Sequence, residues 1–169
     1  MAFLTLQQKQ NELESLAAFL NDIDLSAEVI DAAEEGEDKL LLVEFPGKDG
    51  PAQTMEELER VLIGRIIQLP EEEVYTKYLM LYTQIPAELE DKDELSILKL
   101  LNEWNRKAFT GSFFYSKEDG DETCQIQYKA LIASADDAPF DEGVVGETII
   151  NFGMIYEEVK EAFEKLYWN

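Results

Sequence analysis

The chain has 169 residues, 14 Lys and Arg against 37 Asp and Glu, a formal net charge of −23, no His and a single Cys. Without His there is no Ser-His-Asp or Cys-His catalytic arrangement, and Cys124 alone provides neither a thiolate zinc site nor an intrachain disulfide. Hydrophobic residues at 46% and aromatics at 11% suffice for a packed core at this length, so the acidity does not imply disorder.

Residues 5–21 read as a helix, with Leu13, Leu16, Ala17 and Leu20 on one face and Asn21-Asp22 as the stop. Residues 27–32 and 40–45 read as strands, joined by a turn at Glu34-Glu35-Gly36-Glu37. Residues 46–53 are rich in breakers and form a loop. The stretch 54–69 supports two readings. Thr54 and Glu57 match a capping box, with Met55, Leu58, Leu62 and Ile66 on one helical face. Val61, Ile63, Ile67 and Leu69 alternate instead, and their β-branched content favours a strand over about 58–69. Residues 74–85 alternate as a strand, with Tyr75, Lys77, Leu79, Leu81 and Thr83 on one face and Val74, Thr76, Tyr78, Met80 and Tyr82 on the other.

Asp93 caps a helix over 94–109, in which Ile97, Leu101, Trp104 and Ala108 form a stripe that Leu98 widens, and Gly111 ends it. Phe113 and Tyr115 pair with 122–133 across the Asp119-Gly120 turn, and 134–143 is a loop. A long helix occupies about 142–167. Its Val145, Ile149, Phe152, Tyr156, Val159, Phe163 and Leu166 step by four and three, with Ile155 and Ala162 beside them. The order α-β-β-β-β-α-β-β-α predicts an α+β fold: one domain over 1–169, with helices packed on an antiparallel sheet of about six strands.

Leu100-Leu101-Asn102-Glu103-Trp104-Asn105, then Phe109, Gly111, Phe113-Phe114-Tyr115 and the acidic turn around Gly120, resemble the YbjN-like domain family over residues 100–133. That family pairs a helix ending in Leu-Asn-x-x-Asn with a following hairpin, which gives Leu101, Asn102, Asn105 and Phe109 the role of structural family motif. The resemblance implies the fold of type III secretion chaperones, which are small, acidic, usually dimeric and non-enzymatic, and a description as bacterial sensory transduction regulators. This chain carries an additional strand before the central helix.

Asn102 and Asn105 sit in a helix, where Asn is mildly unfavourable; their amides serve either a polar site or the backbone of a neighbouring strand or loop. The acidic runs at 34–38, 71–73 and 136–142 do not match a calcium loop: counting back from Gly120 or Gly143 places Tyr115 or Ala138 where a ligating Asp is needed. Solvated charge is the simpler account, with weak cation binding at 136–142 left open. Neither G-x-G-x-x-G nor a P-loop occurs, so no catalytic, cofactor or metal residue is assigned and no cofactor is expected. The 145–166 stripe, with Trp168 beyond it, is the candidate protein-interaction surface and a homodimer seam; its alternative use is packing onto the sheet.

The 14 basic residues are scattered, which argues against nucleic acid, and the charge disfavours anionic membranes. No run reaches about 18 apolar residues and no basic leader precedes one, so the cytoplasm is the default compartment. The expected partner is a protein that is basic or exposes an apolar segment; the charge could equally serve solubility alone. Two functions fit: a non-catalytic protein-binding domain, chaperone-like or regulatory, and an acidic inhibitor or immunity protein that blocks a basic enzyme.

Overall fold

Thr5 caps the first helix. Its Oγ1 accepts the Gln8 N–H at 3.2 Å, while Gln8 Oε1 accepts the Thr5 N–H at 2.9 Å, so two otherwise orphaned donors are satisfied reciprocally. In the computed structural model, residues 3–32, 38–44, 61–69, 76–85, 94–117 and 125–167 are described. They form α1 (Leu6–Asp22), β1 (Ser26–Asp31), β2 (Lys39–Glu44), β3 (Val61–Gln68), β4 (Thr76–Ile85), α2 (Glu94–Lys107), β5 (Ser112–Ser116), β6 (Gln125–Ala135) and α3 (Glu142–Tyr167). The element order is the one expected. The turn at 34–37, the loop 46–53, the Thr54–Glu57 capping box, Asp93, Cys124 and most of the turn around Gly120 lie outside the described residues.

α1 ends with Asp24 in the left-handed region at φ 64°, and the Leu25 N–H returns to the Leu20 carbonyl at 2.9 Å. This reversal turns Leu25 into the core and launches β1, which pairs antiparallel with β2. The sheet order is β1-β2-β3-β4-β6-β5, with every neighbouring pair antiparallel. After β4 the chain crosses through α2, enters the sheet at its far edge as β5, and returns as β6 beside β4.

The ambiguous 54–69 stretch is strand over 61–68. Leu62 pairs with Val43 on one side and Ile66 with Leu79 on the other. A helix would spend its backbone groups internally and leave β2 and β4 each without a partner along the edge that β3 fills. β6 runs two residues beyond the expected 133, because β4 is ten residues long and pairs along its full length, from Thr76 with Ala135 to Ile85 with Ile126.

α2 stops two residues short of 109. The Ala108 N–H still reaches the Trp104 carbonyl at 2.9 Å, and Gly111 then turns the chain at φ 71°. A Cβ at Gly111 would meet the Tyr128 ring at 2.6 Å, so both the backbone angle and the close approach require glycine. Leu98 does not widen the stripe of α2. It is 45% exposed, and only Ile97, Leu101 and Trp104 are buried, since α2 touches the sheet along a narrow line at β5.

One core joins the three helices to one face of the sheet. Leu13, Leu16 and Leu20 from α1, Ile97 and Trp104 from α2, and Val145, Ile149 and Phe152 from α3 meet Leu41, Val43, Leu62, Leu79, Leu81 and Tyr128 from the strands. Its aromatic centre is Phe152, 4.3 Å from Tyr128 and 6.2 Å from Phe113 between ring centroids. Among the described residues, one fully buried charged side chain lies within this layer. Lys77, 1% exposed, bonds to Glu12 Oε1 of α1 at 2.5 Å and stands 5.1 Å from the centre of the Phe140 ring.

Candidate functional site

Strand pleating sends alternate side chains to opposite faces, so the face opposite the helices is fixed by the same register. Along β3, β4 and β6 it carries Val61, Ile63, Arg65, Ile67, Thr76, Tyr78, Met80, Tyr82, Gln84, Gln125, Gln127, Lys129, Leu131, Ala133 and Ala135. None of these is acidic, in a chain where 37 of 169 residues are. Glu28 and Glu44 appear only at the β1–β2 side.

Cross-strand neighbours make the surface continuous. Leu42 lies opposite Ile63, Ile63 opposite Tyr82, Tyr82 opposite Lys129; one row along, Arg65 lies opposite Met80 and Met80 opposite Leu131. Ile63, Tyr78, Met80 and Tyr82 are half-buried by these neighbours, while Leu131 is 54% exposed and Phe114 of β5 is 37% exposed. Arg65 lies 3.6 Å from Asp38, which also takes Lys9 at 3.0 Å, so its charge is partly answered at the end of the sheet. Among the described residues, the three helices all contribute to the core on the other face. The surface is apolar and aromatic with long polar and basic side chains, suited to a flat apolar contact with a polar rim.

The residues expected to form an interaction seam lie elsewhere. Val145, Ile149, Phe152, Tyr156 and Val159 are buried at 0–1% exposure inside this chain, so they are a core stripe and not a free surface. The physical reason is that the stripe faces β5 and β6, and burying it there satisfies the apolar face of the sheet as well as that of the helix. The side chains of Phe163 and Leu166, and all of Trp168, lie outside the described residues.

The Leu-Asn-x-x-Asn positions separate into different environments. Leu101 is buried at 4% and Asn102 is exposed. Asn105 is bound to a backbone: its Nδ2 donates to the Phe113 carbonyl at 2.9 Å and its Oδ1 accepts the Phe113 N–H at 2.7 Å. A strand residue's N–H and C=O point to the same side, so the Asn105 amide occupies the outer edge of β5 at Phe113 as a strand would. Phe109 is 91% exposed. The acids of 136–142 are dispersed among structural tasks: Asp136 accepts from Gln68 at 3.1 Å, Asp141 caps α3 through the Val144 N–H at 3.0 Å, and Glu142 lies 3.4 Å from Ser15 Oγ.

Sequence reasoning separated the two faces of 74–85 but did not mark the Tyr78–Met80–Tyr82 face as a site. The available signal was the absence of acid from three strands of an acidic chain.

Residues 67–164, more than half of the chain, match the family model YbjN, described as "Putative bacterial sensory transduction regulator". A solved structure, "YbjN, a putative transcription regulator from E. coli", aligns over 89% of this chain and 92% of that one, at 12% identity and a TM-score of 0.46. None of the curated proteins compared matches the chain. Among the described residues no helix is long and apolar enough to cross a membrane.

Proposed function

The chain belongs to the YbjN family, and from that premise we propose that it is a non-catalytic, protein-binding regulator whose recognition surface is the open face of the sheet. The observation that carries this reading is the acid-free, apolar character of the outward positions on β3, β4 and β6 in a molecule of charge −23. Elsewhere the acidic surface keeps the protein dispersed and draws basic partners by long-range attraction; at the open face, apolar contact supplies the affinity. The same reading treats residues 1–169 as one domain acting in the cytoplasm.

The test is affinity capture with the intact chain and with Met80→Asp and Leu131→Asp, each checked for an unchanged circular dichroism spectrum. A stoichiometric partner held by the native chain is expected to be lost from both variants. Equal recovery on all three chains would remove the sheet face from the reading. The net charge favours a second reading, an acidic inhibitor of a basic enzyme. It predicts capture that collapses at high salt, whereas apolar docking on the sheet persists there.

A further inference from the structure

We propose that the open face of the sheet pairs with the open face of a second copy of this chain, so that free molecules hide the recognition surface against each other until a partner displaces the copy. This rests on the reading of that face as the recognition surface and adds its regulation. Two properties point to a second copy as the occupant: the size of the face, and a charge pattern complementary to itself.

At about 3.3 Å per residue and about 4.8 Å per strand, the six strands present a face of roughly 700 Å². A specific interface buries about 800 Å² on each partner, so the face has the size that one full pairing needs. Charge decides where two copies can approach. Two chains of −23 repel, and a contact between their acidic surfaces sets carboxylate against carboxylate. On β3, β4 and β6 the open face carries Arg65 and Lys129 and no acid, so two copies meet here without that penalty.

The register supplies the self-complementarity. One row crosses all six strands: Glu28 of β1, Leu42 of β2, Ile63 of β3, Tyr82 of β4, Lys129 of β6 and Ser112 of β5. Its acid stands at one end, its base near the other, and apolar side chains between them. A two-fold axis parallel to the strands, running between β3 and β4, lays this row on its own copy in reverse. Ile63 then lies over Tyr82 of the second copy, and Glu28 comes beside Lys129 of the second copy, twice by symmetry. In the next row Arg65 lies over Met80 of the second copy, where its stem packs while its head group stays 3.6 Å from Asp38. Sheets stacked face to face sit about 10 Å apart with their strands about 30° from parallel, a tilt this axis permits and a gap that Glu and Lys side chains together span.

The experiment is sedimentation velocity of the purified full-length chain, in a concentration series reaching about 0.5 mM, at about 0.02 and about 0.3 M sodium chloride. A monomer–dimer equilibrium is expected that tightens at the higher salt, because screening removes the long-range repulsion and leaves the apolar contact. Leu131→Asp, at a 54% exposed position on the face, is expected to leave only monomer. Glu28→Lys lowers the net charge, yet it is expected to weaken pairing about fivefold at the higher salt because it sets like charges together; Lys129→Glu weakens it likewise, and the two combined restore it. A chain that stays monomeric at every concentration, a dimer indifferent to Leu131→Asp, or charge variants that fail to compensate would overturn the pairing. Partner capture separates this inference from the reading it rests on. A monomeric chain that still loses its partner on Leu131→Asp ends the pairing alone; a dimer whose partner capture ignores Leu131→Asp ends the recognition reading while the pairing stands.

Discussion

At the scale of single residues, the most informative side chain is Asn105. Its amide presents to Phe113 the donor and acceptor that a further strand would present, so it both fixes α2 against β5 and closes the edge of the sheet at that residue. Asn105→Ala removes both bonds and is expected to cost about 1–3 kcal/mol in urea denaturation, with concentration-dependent self-association in sedimentation. Asn105→Asp keeps the acceptor but faces a carbonyl with no donor, so it should not restore stability; full recovery by Asp would contradict the two-bond account. Tyr128 gives a pH prediction. Burial raises its hydroxyl above the usual 10.0. A raised folded-state value means that the neutral phenol contributes stability that is fully present below pH 10 and is lost as pH climbs through the folded value. Tyr128→Phe is expected to flatten this alkaline loss in a pH series of thermal melts. The sequence showed that Asn is unusual inside a helix and that its amide could serve a strand backbone. Which Asn did so depended on where β5 came to rest.

At the scale of elements, periodicity located the strands and helices closely, and α3 was anticipated at its observed bounds. It did not decide what the α3 stripe would face. An apolar stripe is the same object whether it meets a sheet or a second molecule, and here the sheet supplies Phe113 and Tyr128. Phe152→Ala is accordingly expected to cost about 3–5 kcal/mol, while Ile150→Ala, at a 48% exposed position of the same helix, should stay within about 0.5 kcal/mol. Comparable losses at both positions in chemical denaturation would mean that α3 is not buried on one side only. β4 carries the same lesson. Its two faces were separable, yet Lys77 shared a face with Leu79 and Leu81, and a lysine argues for solvent. The inward face became evident only once Glu12, from 65 positions earlier in the chain, stood beside it.

At the scale of the molecule, charge dominates. A net −23 opposes compaction through self-repulsion, and salt screens it within about 10 Å at 0.1 M. The melting temperature is therefore expected to rise when sodium chloride is increased from about 0.02 to 0.3 M; a flat or falling profile in calorimetry would show that the acidic surface carries no such penalty. The sequence by itself determined the order of elements, the strand alternation, the acidity, and the absence of histidine chemistry. These are local or additive properties, readable from spacing and counting. Tertiary structure decided which face of the sheet the helices cover, that the 145–159 stripe is internal, and that Phe109 stands in solvent beside Asn151. Strands β3 and β4 are apolar on both sides, so alternation says only which residues travel together. Which side is buried is settled by contacts between segments far apart in the chain, and no local pattern encodes those.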